Sequence, residues 1–353
     1  MMNWLLISMP VAICLEVFAP DRYLLIFSTS CLAILPLARW MGRATEQLAE
    51  RMGEGVGGLL NATFGNAAEL IIALVALHAG LYEVVEASIV GSILGNILLV
   101  LGAAMLAGGL RHPEQHFNAA GARSQATMLT LAAIALILPA AFEAVAGTSQ
   151  HLDRVSFSIS VILLLIYSLY LAFALITHPA LFTSSDVPEN AKVQVSPARP
   201  GLLLAAAAAG IAWMSEIMVG AIEPAARQLG LSDIFVGVFV VAVLGNAAEH
   251  TTAIDAALKN RMDLSLSIAI GSSVQIALFV APVLVLASLF LGPTPMDLAF
   301  SPGLVLMVLL SILITGQVAS DGRSDWLKGT ATARGILNPR SHLLLPTGTK
   351  GLK

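Results

Sequence analysis

Apolar runs of about 18 residues or more follow one another along most of this chain. In a bilayer such runs leave only α-helical bundles or closed β-barrels, because no water is present to satisfy backbone polar groups. The runs are continuous rather than alternating, which selects helices. Of 353 residues, 57% are hydrophobic and 11% charged, well under the roughly 25% charge of a soluble domain. No large soluble domain fits beside the spans. The net charge of −4 does not suggest a nucleic-acid partner. The two cysteines, Cys14 and Cys31, lie in apolar runs and give neither metal spacing nor a disulfide framework.

The pattern predicts ten spans, over 3–19, 22–41, 56–79, 84–109, 122–143, 155–176, 200–221, 232–257, 263–291 and 298–319. Residues 1–19 start without Lys or Arg and lack an A-x-A site, so they read as a membrane helix rather than a cleaved leader. With the N-terminus and the loops after even-numbered spans on one side, that side holds 15 of the 18 basic residues, among them Arg39, Arg43, Arg111, Lys259 and Arg261. The opposite side holds Arg22, Arg154 and Arg227. The positive-inside rule then puts the N-terminus and the tail in the cytoplasm, and a missed span would scramble the bias.

Within this frame one pentapeptide occurs twice. Gly65-Asn66-Ala67-Ala68-Glu69 and Gly245-Asn246-Ala247-Ala248-Glu249 lie 180 residues apart, each inside an apolar run. An acid at a span's centre costs roughly 2.5–3.5 kcal/mol by insertion scales, so it marks function by default. At the same offset Gly65–Val100 aligns with Gly245–Val280 without a gap, with 11 of 36 positions identical, including Gly91/Gly271 and Ser92/Ser272. Random apolar helices share Ala and Leu, but not these pairs in one register. The repeat makes units of five spans after one leading helix. Five is odd, so the units enter the membrane from opposite sides, the inverted-repeat plan of secondary transporters. The expected divisions are a leading helix at 1–20, a first repeat at 21–176, a cytoplasmic linker at 177–199, a second repeat at 200–319 and an atypical tail at 320–353.

Glycine followed by asparagine weakens a helix, and unwinding there would turn backbone carbonyls toward a cavity. Glu69 and Glu249, with Asn66 and Asn246, supply an all-oxygen set. Such a set suits calcium, which takes six to eight oxygens in flexible geometry, better than magnesium and better than the softer zinc or copper. The following helices carry Gly91-Ser92-Ile93-Leu94-Gly95-Asn96 and Gly271-Ser272-Ser273-Val274-Gln275. Ser92, Asn96, Ser272 and Gln275 are therefore candidate cation ligands or lining, with close helix packing as the alternative use of the small residues. Protons neutralise the two carboxylates in the absence of metal, and a divalent cation displaces them. Competition of cation and proton for one site is what an antiporter requires. His250 is a candidate proton relay or gate beside Glu249, and Glu46 and Glu216 are candidate vestibule residues on the two equivalent spans.

These strings, with Asn260-Arg261-Met262-Asp263-Leu264, resemble the calcium/cation–proton exchanger family over roughly residues 20–328. The resemblance implies eleven helices in a leading helix plus two inverted units. It also implies cation binding at Glu69 and Glu249, and alternating access driven by protons. The Glu-His and Ser-Ser-x-Gln forms are similar to the proton-coupled branch. Three departures stand against it. The linker has only Asp186 and Glu189 in place of an acidic run, and the N-terminus is too short for a regulatory tail. The final helix, due from about residue 334, meets Arg334, Pro339, Arg340 and His342, so it is expected to be missing or degraded.

The expectation is an all-α integral membrane protein of about ten helices in a bacterial inner membrane. It would exchange cytoplasmic Ca²⁺ for H⁺, with Ca²⁺ as substrate and no cofactor. A sodium/calcium exchanger is the nearest alternative, ahead of a cation channel. An intramembrane metalloenzyme lacks H-E-x-x-H or any comparable set. The residues assign no oligomeric state.

Overall fold

The structure is a computed structural model that describes residues 3–146, 151–178 and 198–334. It is helical almost throughout. In chain order the helices are α1 (Asn3–Phe18), α2 (Tyr23–Ala49), α3 (Gly53–Phe64), α4 (Ala67–His78), α5 (Tyr82–Arg111) and α6 (Ala119–Ala146). They continue as α7 (Leu152–Thr177), α8 (Ala198–Leu229), α9 (Asp233–Leu258), α10 (Met262–Leu291), α11 (Pro302–Val318) and α12 (Trp326–Arg334). Seven of these are long and apolar enough to cross a membrane, and α1, α4 and α11 are shorter apolar helices. The ten expected spans fall on these ten helices, the one over 56–79 also taking in α3. Helices α5, α8 and α10 have 30, 32 and 30 residues, more than the ~20 a perpendicular span needs, so they tilt or project.

The core contains α5 and its equivalent α10. Ile89, Ile93, Ile97, Leu101 and Met105 of α5 have no exposed surface, and neither do Ile270, Val274 and Leu278 of α10. Both helices widen into a π segment, Gly95–Val100 in α5 and Ile276–Val280 in α10. The extra residue re-aims side chains where the motif ends, as π-bulges often do at functional sites. Helices α2 and α8 pack on each other near their middles, where a Cβ on Gly210 would lie 3.2 Å from both methyls of Leu37.

At one end of the bundle the α5–α6 and α11–α12 connections pair as a two-residue ladder, β1 (Gln115–His116) with β2 (Arg323–Ser324). Gln115 Nε2 donates to Ala257 O at 2.8 Å and to Asn260 Oδ1 at 3.1 Å, and Asn118 N donates to Asp263 Oδ1. Three connections far apart in sequence are thereby clasped together. Lys328 bonds Asp321 beside the ladder, which holds the exposed Asp321 carboxyl below its ordinary range.

One expectation changes. The run 56–79 is not one helix. It divides at Gly65-Asn66 into α3 and α4, whereas the equivalent run through Gly245-Asn246 stays helical. The final helix, expected from about residue 334, falls outside the described residues, and just before it α12 forms over Trp326–Arg334. Small residues let it lie backbone to backbone on α5: a Cβ on Gly109 would sit 2.3 Å from Trp326 N, and one on Gly329 2.3 Å from Leu106 N. Residues past 334, and most of the expected linker at 179–197, lie outside the described residues.

Candidate functional site

The twin pentapeptides meet at the centre of the bundle. A Cβ on Gly245 would lie 3.0 Å from Glu69 Cβ, and one on Gly65 3.5 Å from Glu249 Oε1. The glycine of each copy thus makes room for the glutamate of the other. The break before α4 places Glu69 in that helix's first turn, where free N–H groups and the helix dipole favour negative charge. In the second copy the chain stays α-helical because the irregularity lies upstream, in the π segment Val236–Val241. The Asn246 amide also donates back to Ala242 O at 2.9 Å along its own helix.

Hydrogen bonds cross between the copies. Asn246 Nδ2 donates to Glu69 Oε2 at 3.1 Å and to Ser92 Oγ at 2.9 Å. In the opposite sense Asn66 Nδ2 donates to Gln275 Oε1 at 2.7 Å, and Ser272 Oγ donates to Asn66 Oδ1 at 3.0 Å. His250 Nε2 and Asn96 Oδ1 are 3.1 Å apart. Asn66, Glu69, Ser92, Asn96, Asn246 and Ser272 are buried, while Glu249, His250 and Gln275 are half-buried. These bonds link Asn246 to Glu69 and Ser92, Asn66 to Gln275 and Ser272, and Asn96 to His250, the neighbour of Glu249. Glu46 and Glu216 do not join them: both are exposed on α2 and α8, Glu46 beside Arg43 and Glu50.

Glu69 Oε1, Asn246 Oδ1 and Glu249 Oε2 are buried acceptor atoms with no hydrogen-bond donor. A buried acceptor without a partner costs about 1–3 kcal/mol, more if charged. A hard cation or a carboxyl proton would relieve that cost, and all the groups are oxygen donors of the kind calcium takes. Among the described residues no trio of His, Cys, Asp or Glu converges, so a soft-metal site has no ligand set here.

The surroundings are less symmetric than the sequence. On α5, Val84, Ala87, Ser88, Gly91 and Gly95 are all buried. The first half of α9 is seated on them, so that a Cβ on Gly91 would be 2.5 Å from Val238 Cα. The equivalent face of α10, at Leu264, Ser267, Ile268, Gly271 and Gln275, is half-buried along its length. Near Gly271, among the described residues, only the Gln125 amide comes within 4 Å of a notional Cβ, at 3.4 Å. Helix α3, the counterpart of the first half of α9, lies instead on the end of α2, where a Cβ on Gly57 would be 2.2 Å from Ala49 O. One wall of the site is therefore closed and the other open. On the open side Gln125, buried in α6, bonds Tyr170 and lies 3.5 Å from Ser267 Oγ. Sequence reasoning passed over Gln125, although a lone amide in an apolar run carries the signal that marked the glutamates.

An all-helical membrane bundle with one central oxygen site defines the class to which secondary transporters belong. Comparison with known proteins narrows the class. The profile of the family described as sodium/calcium exchanger protein matches residues 22–176 and 200–333, and the chain belongs to that family. A Ca²⁺/H⁺ antiporter of Aphanothece halophytica is 45% identical over 322 residues, covering 86% of each chain. The Ca²⁺/H⁺ antiporter ChaA of Bacillus subtilis is 44% identical over 309 residues, covering 86% of this chain and 87% of its own. Among solved structures, native YfkE superposes with a TM-score of 0.82 at 37% identity, covering 96% of this chain and 97% of its own. An H⁺/Ca²⁺ exchanger, CAX, shares the fold at a TM-score of 0.71 and 16% identity.

Proposed function

We propose that the protein is a Ca²⁺/H⁺ antiporter that exports calcium from the cytoplasm as protons enter. The observation that carries this reading is the crossing of the two pentapeptides, which leaves three buried oxygens, on Glu69, Asn246 and Glu249, without a hydrogen-bond donor. Relatives at 44–45% identity bear the same activity in their names. Glu69 and Glu249 bind the cation or protons. Asn66, Asn246, Ser92, Ser272, Asn96 and Gln275 complete or orient the shell, and His250 lines the proton route. Because one set of oxygens serves both ions, occupancy by one excludes the other.

Two inverted five-span units after a leading helix fit the reciprocal contacts. Helix α12 lies on α5 as α7 lies on α10, where Tyr167 stacks on Phe279 at 5.4 Å. Alternating access follows if α3 closes onto α10 at Gly271 while the first half of α9 leaves α5 at Gly91. The open wall runs along α10 toward the loop carrying Lys259 and Arg261, the cytoplasmic side by the positive-inside rule. An inner membrane with the N-terminus inside accords with that rule and with the bacterial relatives.

The test is ⁴⁵Ca uptake into inverted vesicles under an imposed pH gradient. Uptake should require the gradient, collapse with a protonophore and vanish in Glu69→Gln and Glu249→Gln. Uptake driven by sodium instead would assign the protein to sodium/calcium exchange, and flux without any counter-ion gradient would assign it to a channel. Undiminished transport in both glutamine variants would remove the site.

A further inference from the structure

The two seats beside the oxygen site differ in chemistry as well as in occupancy. On the closed side α9 rests on Ala87 and Gly91 of α5: a Cβ on Gly237 would lie 2.6 Å from Ala87 Cβ, and one on Gly91 2.5 Å from Val238 Cα. At the 180-residue offset Ser267 corresponds to Ala87, Gly271 to Gly91, Gly57 of α3 to Gly237, and Gln125 of α6 to Val305 of α11. Small and apolar residues on one side are thus replaced by a hydroxyl and an amide on the other. The amide stands in the open seat itself. Its Nε2 would be 3.4 Å from a Cβ on Gly271, the place that the α9 backbone holds at Gly91. It donates to Ser267 Oγ at 3.5 Å, the long limit of a hydrogen bond, and it bonds Tyr170 of α7. Gln125 is buried, and a buried amide stripped of its partners carries the full desolvation penalty. For α3 to come as near Gly271 as α9 comes to Gly91, that amide has to leave its partners.

We propose that Gln125 is a positioning residue that holds the cytoplasmic wall open in the unloaded carrier: its amide, anchored on Tyr170 and Ser267, occupies the seat of α3 at Gly271, and closure has to detach it. An apolar side chain at this position, as on the closed side, removes that obstacle. Loss of one amide partner on closure corresponds to a shift of about tenfold in the ratio of open to closed forms. Gln125 thereby sets the resting direction of the carrier, which waits with its oxygen site toward the side where the exported ion is collected. The gating role rests on the alternating-access reading above and not on which ions are exchanged.

The first arm of the test needs no transport. Leu264 is half-buried on the open face of α10, whereas its equivalent Val84, under α9, is 1% exposed. Labelling of Leu264→Cys by a membrane-impermeant maleimide in inverted vesicles therefore reports an open wall. Cys14→Ser removes the exposed native thiol, and Cys31 is buried. Without Ca²⁺ and at fixed pH, adding Gln125→Leu should lower the open-to-closed ratio about tenfold and slow the labelling. Tyr170→Phe keeps the amide but removes its anchor; it should slow labelling by less, and it carries the test where Gln125→Leu does not fold. A merely structural role would lower the unfolding midpoint and leave the labelling rate alone. The second arm is ⁴⁵Ca uptake into the same vesicles. Half-saturating Ca²⁺ should rise by the factor by which labelling slows, because apparent affinity scales with the fraction of carriers facing the ion. Unchanged or faster labelling in both variants would overturn the gating role. Slower labelling with unchanged half-saturating Ca²⁺ would overturn the control of resting direction. Slower labelling in a chain that takes up no Ca²⁺ would support the gate and count against the antiporter assignment alone.

Discussion

Gly91 and Gly271 are equivalent in sequence, and the structure assigns them opposite responses to the same substitution. In Gly91→Ala the new methyl would lie 2.5 Å from Val238 Cα and 2.6 Å from Val238 O. Carbon atoms settle at about 3.5–4.0 Å, so α9 must retreat by about 1 Å. Both neighbours are backbone, so no rotamer relieves the contact. Overpacking of this kind costs about 1–3 kcal/mol, here toward the upper end. Alanine's better helix propensity returns about 1 kcal/mol, leaving a loss of about 2 kcal/mol. In Gly271→Ala the methyl meets, among the described residues, only the flexible end of Gln125, at 3.4 Å, so the propensity gain of about 1 kcal/mol stands. The variants should differ by about 3 kcal/mol, or about 6–12 °C in unfolding midpoint at the 2–4 °C per kcal/mol of large domains. The assay is thermal unfolding of both purified variants, with ⁴⁵Ca transport in parallel. Gly271→Ala should be stable yet poor in transport, because its methyl occupies the seat that α3 needs. Equal destabilisation of the two variants would refute the assignment of one closed and one open wall.

Other outcomes follow from the same contacts. Gln115→Ala leaves Ala257 O without the bond Gln115 gives it, and should cost about 1–3 kcal/mol, read as a lower unfolding midpoint. Asn260 sits at φ 59°, so Asn260→Gly should be tolerated far better than Asn260→Val, which cannot adopt that conformation cheaply; relative expression and melting check it. Asp321 is held low by Lys328, so that pairing is present above the ordinary Asp value of about 3.9 and is lost as pH falls through the lower folded value. Hydrogen exchange of the Arg323 amide, which donates to Asp321 Oδ1, should lose protection only in that acid range. Ser92→Ala removes one acceptor of the Asn246 amide and should raise the Ca²⁺ concentration for half-maximal uptake while leaving folding intact; an unchanged value would separate Ser92 from the site.

Much of this protein was legible in its residues because the bilayer makes strict demands. Continuous apolar runs located the helices, seven of them long and apolar enough to cross a membrane, since hydrocarbon admits little else. The cost of buried acid singled out Glu69 and Glu249, and the 180-residue repeat paired Ser92 with Ser272. Glu46 and Glu216 were drawn in by equivalence of position, and both are exposed, outside the central hydrogen-bonded set. Gln125 was passed over because it has no counterpart in the repeat.

The sequence by itself determined the membrane, the helices and the repeated motif. These depend on composition and on short-range order, which are properties of each segment alone. Only the tertiary structure decided that identical pentapeptides behave differently, one opening at Gly65-Asn66 and the other staying helical through Gly245-Asn246. It alone decided that each asparagine is held by the other copy, and that α9 is seated on Gly91 while Gly271 faces an open wall. The reason is that these outcomes depend on which backbone lies against each glycine, and those neighbours come from helices far away in the chain.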